Sequence, residues 1–237
     1  MSDSFVIPSD YKTIQQIVTD KIRNAILNGM IKPNERLNQA DLAEKLNVSR
    51  IPTREALRTL EAEGLVTFYP RRGAVVATMS PEEIEEVYEI RILLETNAAQ
   101  RALKRMSESE LREICDIQEK MVETSELDVW IGLNDLFHQA IYKPSGWTRL
   151  VSVIEMLRNL TTPYVRMYVS DQFDRHAADL EHAEIVAAVE ARDTVGLKAV
   201  LRRHLAHSCQ GVLAYLKRVE QECSLSEARD EPVPKTG

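Results

Sequence analysis

A change of hydrophobic period at Gly64 limits this fold more than any other feature of the chain. Up to that residue apolar side chains recur at helical spacing; beyond it lie two β-rich runs, Leu65–Tyr69 and Ala74–Thr78. Pro70-Arg71-Arg72-Gly73 separates the runs and reads as a turn. Upstream, Ile14, Val18, Ile22, Ala25 and Ile26 predict a helix from Tyr11 to Asn28, with Gly29 as its stop. Leu42, Ala43 and Leu46 predict a second, short helix, and Asn47-Val48-Ser49 a tight break. A third helix is expected from about Arg50 to Glu63, with Ala56, Leu57 and Leu60 inward. Three helices followed by a hairpin make a winged helix-turn-helix.

Ser80-Pro81-Glu82-Glu83 then reads as a helix start, with a cap, a proline and an acidic first turn. Six helical segments follow, near 81–104, 107–126, 129–143, 146–170, 175–192 and 194–221. With only 8 Gly and 5% aromatics in 237 residues, the composition favours helices over a β-sandwich or a Gly-rich nucleotide fold. Neither G-x-G-x-x-G nor a Walker lysine loop occurs. The expected class is mainly α: an N-terminal winged helix-turn-helix (three helices plus a β-hairpin) and a C-terminal all-α six-helix bundle. The expected boundaries are a flexible arm over 1–10, the DNA-binding domain over 11–79, the helical domain over 80–221 and a disordered tail over 222–237. No apolar run approaches the roughly 20 residues of a membrane helix, the N-terminus lacks signal-peptide order, and Cys115, Cys209 and Cys223 form no metal or redox spacing. A soluble, cytoplasmic protein is expected.

The net charge of −7 hides a gradient. Residues 1–79 carry 11 Lys and Arg against 9 Asp and Glu, while the remainder carries 19 against 28. DNA binding by the N-terminal part is therefore compatible with an acidic chain. Ser49 is the expected cap of the third helix and Pro52 sits in its first turn. Arg50, Thr53, Arg54 and Arg58 fall at i, i+3, i+4 and i+8, the placement needed for guanine reading and phosphate clamping. Arg71, Arg72 and Gly73 put charge and a close-approach backbone at the hairpin tip. The competing reading has these arginines solvating the helix or pairing with Glu55, Glu61 and Glu63.

The stretch Asn38 to Leu57, with Leu60-Glu61-Ala62-Glu63-Gly64-Leu65-Val66 and the Arg-Arg-Gly wing, resembles the GntR family of bacterial transcription factors. The resemblance covers residues 11–79 and implies that Ser49, Arg50, Ile51, Thr53, Arg54, Arg58, Arg71, Arg72 and Gly73 meet DNA. The family usually has Thr and Val where this chain has Ile51 and Thr53, and Gly where it has Asn47.

The C-terminal part resembles the FCD effector-binding domain of the FadR subfamily. Glu89 to Glu95, Asn134-Asp135-Leu136-Phe137-His138, Glu181 to Ile185 and Arg203-His204-Leu205 carry the likeness, and six helices suggest the VanR-like branch. Asn134 and His138 lie at i, i+4 on one helix face, while His182 and His204 come from later helices. Three imidazoles and an oxygen donor suit a divalent ion such as Zn or Ni. Metal-binding members usually carry Asp at the position of Asn134; Asp135 is the adjacent carboxylate. His176 and His207 are expected at the surface. Arg91 is the candidate cation for a small carboxylate effector, against the simpler reading of a pair with Glu95 at i+4. Tyr88, Tyr164 and Arg166 are further pocket candidates.

The resemblance implies a homodimeric regulator, most often a repressor, that binds a short palindromic operator in double-stranded DNA and responds to a small acid held beside a metal. Two alternatives stay open: the same DNA-binding role with a metal-free or larger effector such as an acyl thioester, and a His-cluster metalloenzyme. The sequence shows no carboxylate–histidine pairing of a catalytic kind.

Overall fold

The computed structural model describes residues 12–171 and 175–229, and the chain divides into two compact units between Thr78 and Met79. In the first unit α1 (Ile14–Leu27) starts at a capping box in which Thr13 and Gln16 satisfy each other's backbone N–H groups. A two-residue strand β1 (Arg36–Leu37), α2 (Gln39–Lys45), α3 (Arg50–Ala62), β2 (Val66–Tyr69) and β3 (Gly73–Val76) follow. The strands form an antiparallel sheet in the order β1-β3-β2, with Leu37 opposite Ala74 and Val66 opposite Val76. β1 was not expected from the sequence: two residues are too few to show a period, and the pairing with β3 is long-range.

Val18, Ile22 and Ile26 of α1, Ala56, Leu57 and Leu60 of α3, and Leu65, Val66 and Val75 of the sheet are buried. Ile14 belongs to the apolar spacing of α1 yet is 62% exposed, because it occupies the first helical position. Between α2 and α3, Asn47 has φ +53°, a left-handed conformation that Asn tolerates better than most side chains. The residue that the GntR family usually has there, Gly, adopts it without cost.

The second unit holds six α-helices among the described residues: α4 (Pro81–Leu103), α5 (Glu108–Glu123), α6 (Leu127–Tyr142), α7 (Thr148–Asp171), α8 (Arg175–Glu190) and α9 (Thr194–Arg229). A single 3-10 turn, Lys143–Ser145, follows α6. Ser80 with Glu83, and Ser107 with Glu110, form capping boxes that open α4 and α5. Ala98, Phe137, Ile141, Ile185, Leu197 and Leu201 form the centre of a core shared by α4, α6, α8 and α9. α7 contains Pro163, whose ring nitrogen cannot donate to the preceding turn. Beside it the hydroxyls of Thr161 and Thr162 turn back to the Arg158 carbonyl at 3.1 and 2.9 Å. α7 and α9 pack closely at Gly211, where an added Cβ would stand 2.5 Å from the Tyr168 ring.

The tail expected from residue 222 is corrected in part. α9 continues to Arg229, since Leu-, Glu- and Ala-bearing sequence beyond 221 keeps good helix formers. The arm over 1–10 and residues 230–237 lie outside the described residues. No described helix is long and apolar enough to cross a membrane.

Candidate functional site

α3 presents Arg50, Ile51, Arg54 and Arg58 to solvent, and the hairpin tip presents Arg71, Arg72 and Gly73. Arg58 lies over the Phe68 ring at 4.1 Å and pairs with Glu61 at 2.7 Å, so its guanidinium is braced against the wing strand. Arg54 touches Glu55 at 3.2 Å with both side chains about half exposed, a contact that phosphates can readily replace. Arg71 has φ +73° and Gly73 φ +78°, so the tip turns through left-handed residues, a conformation that glycine adopts freely.

Two expectations need correcting. Thr53 is fully buried, and its hydroxyl donates to the Ser49 carbonyl at 3.2 Å. It shares the inward face with Ala56, Leu57 and Leu60, at the i, i+3, i+4 and i+7 spacing of a core stripe, and so does not face DNA. The Val usual at this position in the GntR family was the available signal. Ser49 occupies the N-cap with extended backbone, but its side chain makes no cap hydrogen bond, which leaves the exposed hydroxyl for an outside acceptor.

In the second unit His138 of α6, His182 of α8 and His204 of α9 converge, each offering a ligand atom within 4.8 Å of the others. All three are buried. The Tyr142 hydroxyl gives its one proton to Glu95 at 2.5 Å, so at its 3.2 Å contact with His138 it accepts from Nδ1–H. That fixes the tautomer and leaves the His138 Nε2 lone pair free. Glu181 accepts from His204 Nδ1 at 2.8 Å and frees Nε2 in the same way. Neither ring nitrogen of His182 has a partner among the described residues, although both are shut off from solvent. Burial foremost, then the neighbouring Arg158 and imidazoles, pushes the His138 pKa well below its usual value; burial, then His204 and Arg158, does the same at His182. Both rings are therefore neutral at neutral pH, the form that binds a metal. The donor set fits a divalent ion.

A cavity of about 40 Å³ adjoins the cluster, lined among others by Tyr88, Arg91, Asn134, Asp135, His138, Arg158, Thr161 and His204. Asn134 lines this cavity together with His138. Arg91 donates from Nε to Glu95 at 2.7 Å and from Nη1 to Thr161 at 2.8 Å, so the pairing with Glu95 holds even though Arg91 also lines the cavity. Burial disfavours a charged Glu95, but Arg91 and Arg158 outweigh it and hold the carboxyl below the usual range. Of the other pocket candidates, Tyr88 lines the cavity and its hydroxyl meets Ser208 at 2.9 Å. Tyr164 instead accepts the Met79 amide N–H at 2.6 Å, and Arg166 pairs with Asp128; neither is among the lining residues. His207 is about half exposed and donates to Glu181 at 2.5 Å, while the His176 side chain lies outside the described residues.

Sequence reasoning missed Arg158, Tyr142, the orienting role of Glu181 and any part for Glu95 beyond its pairing with Arg91. Tyr142 sits four residues after His138, so helical spacing could have pointed to it. The Glu181 pairings with His204 and His207 are carboxylate–histidine contacts that the sequence did not show; at His204 the contact orients a ring nitrogen turned away from the cluster.

A winged helix-turn-helix with exposed arginines on its third helix, joined in one chain to a helical unit with a buried histidine cluster, defines a DNA-binding transcriptional regulator. Residues 14–76 match the model of the bacterial regulatory proteins of the gntR family, and residues 86–207 match the FCD domain. The chain belongs to the GntR family, in its FCD-bearing group. It is 31% identical over 216 residues to the HTH-type transcriptional regulator YdhC of Bacillus subtilis, covering 86% of this chain and 91% of that one. It is 31% identical over 203 residues to the HTH-type transcriptional repressor GlaR of Escherichia coli, covering 78% and 89%. Both relatives are regulators rather than enzymes. The E. coli McbR/YncC structure shares the fold, with a TM-score of 0.78 at 24% identity over 88% of this chain and all of that one.

Proposed function

We propose that the protein is a homodimeric repressor whose hold on a short palindromic operator is released by a small carboxylate bound beside a divalent ion, Zn or Ni, in the FCD domain. The observation that carries this is His182: a fully buried imidazole with neither nitrogen partnered costs several kcal/mol unless something binds it. Two further histidines with oriented Nε2 lone pairs face the same point. His138, His182 and His204 would hold the ion, with Asn134 as a neutral oxygen donor. A bound ion supplies a Lewis-acidic anchor for a carboxylate oxygen.

Around it Arg91 and Arg158 balance Glu95 and Asp135, so the ion's own charge leaves a net demand for an anion. A cavity of about 40 Å³ favours a small acid over an acyl thioester. On the DNA side, Arg50, Arg54, Arg71 and Arg72 would supply base and phosphate contacts, with Ser49, Ile51, Arg58 and Gly73 at the same surface. Preference of the acid for one arrangement of the helical unit is what would change operator affinity.

Gel retardation of the protein's own promoter DNA at low salt tests the reading, with zinc- or nickel-loaded protein and a panel of small carboxylates. Retardation that one acid abolishes only in the metal-loaded protein is expected. No retardation without acid overturns the repressor reading, and release that is indifferent to metal overturns the metal's part in it.

A further inference from the structure

Arg158 is the cavity residue whose bonding is incomplete. It is only 6% exposed, yet its Nε is buried without a partner among the described residues and its Nη1 stands 3.9 Å from Glu95. Among the described residues its one close carboxylate is Asp135, one oxygen of which takes Nη2 at 3.1 Å. A guanidinium fork offers two parallel N–H groups to a carboxylate, and here one oxygen meets one of them. Arg91 differs, because Glu95 and Thr161 already take its Nε and Nη1.

The two carboxylates beside Arg158 are also unlike. Glu95 is fully buried and bound by Tyr142 and Arg91. Asp135 comes from α6 with its side chain 39% exposed, and its other oxygen has an independent donor, Gln139 Nε2, at 2.7 Å. Leaving Arg158 would cost Asp135 little, since it stays hydrogen-bonded and gains water.

We propose that Asp135 is a tethered stand-in for the effector's carboxylate: it occupies the Arg158 guanidinium in the empty sensor, and the incoming acid displaces it. This rests on the carboxylate reading above and adds the seat and its occupant. A competitor on the same chain weakens the apparent affinity for the acid in proportion to the time it fills the seat. The Asp135–Arg158 contact thereby sets the concentration at which the protein responds. The effector class is a carboxylate small enough for the cavity, bound through the open Nε side of Arg158.

Calorimetric titration of the full-length protein with acetate and with propionate tests this, using wild type, Asp135→Asn, Arg158→Gln and the double variant, with zinc content measured on the same samples. Asp135→Asn is expected to bind at least one of the acids about tenfold more tightly, the gain from a seat otherwise filled about nine-tenths of the time. Arg158→Gln is expected to bind neither acid, and the double variant not to regain binding. If wild type binds an acid and Asp135→Asn binds it no better, the stand-in is overturned while the carboxylate reading remains. If neither protein binds either acid, the stand-in and the carboxylate reading fall together, and the zinc content separately reports on the metal. Should Asp135→Asn melt well below wild type, Asp135→Ala with the same titrations decides.

Discussion

Glu95 and Tyr142 meet at 2.5 Å in the interior of the helical unit, and through that bond a carboxylate fixed by Arg91 determines which nitrogen of His138 carries a proton. Tyr142→Phe keeps the ring and removes only this link. Zinc affinity is expected to fall about 10- to 100-fold, the usual effect of losing an orienting partner. Competition with a chromogenic chelator measures it; an unchanged affinity would mean that His138 is oriented by packing alone.

Glu95→Gln tests the other side of the same bond. It leaves Arg91 and Arg158, both buried, without their shared carboxylate. A loss of about 3–5 kcal/mol in unfolding free energy is expected, as for one partner removed from a buried ion pair. Denaturant unfolding monitored by circular dichroism gives the number, and a loss under about 1 kcal/mol would show that Asp135 and Thr161 suffice.

The metal-free protein is expected to weaken in mild acid. His138 and His182 have folded-state pKa values held well below the unfolded value of roughly 6.5. Below that pH the unfolded chain takes up protons that the folded chain refuses, so stability is present above about 6.5 and is lost as the pH falls. The slope is at most about 1.4 kcal/mol per pH unit for each histidine. Melting temperatures of chelator-treated protein between pH 8 and pH 5.5 test this, and His182→Phe should flatten the decline.

On the DNA side the structure separates neighbours on α3. Thr53→Val removes a buried hydroxyl bonded within its own helix, and operator affinity is expected to stay within a factor of about two, with stability changed by under about 1 kcal/mol. Arg54→Ala removes an exposed cation. It should weaken operator binding by about 1–3 kcal/mol if the side chain reads a base, or reduce the salt slope by about one if it holds a phosphate. Fluorescence anisotropy at several salt concentrations distinguishes the two. A large loss from Thr53→Val would return that residue to the interface.

Gly211→Ala places a methyl group against the Tyr168 ring, where α7 and α9 touch. A destabilisation of about 1–3 kcal/mol is expected from overpacking. The double variant with Tyr168→Leu should recover part of it in a thermal melt.

The sequence made the architecture legible because its signals are local. Ser80 with Glu83 marks a helix start, and Pro70 to Gly73 marks a hairpin. His138, His182 and His204 could be grouped only through the FCD resemblance, since three helices separated by dozens of residues carry them. What was not legible depends on contacts across the bundle. Arg158 has no local partner that marks it, and Glu181 meets His204 only when α9 packs against α8. Thr53 was misplaced because an arginine stripe at i, i+4 and i+8 draws in a neighbour at i+3, although the core stripe of Ala56, Leu57 and Leu60 claims it.

Pro163 gives α7 an uneven stiffness. The turn of α7 that carries Arg158 and Thr161 lies before the proline; Tyr164, which holds the Met79 amide, comes directly after it. At the proline the backbone rung from residue 163 to the carbonyl four residues earlier does not exist. One rung fewer crosses that turn, so the half of the helix that grips Met79 can tilt against the half that carries Arg158 with less resistance than an unbroken helix would give.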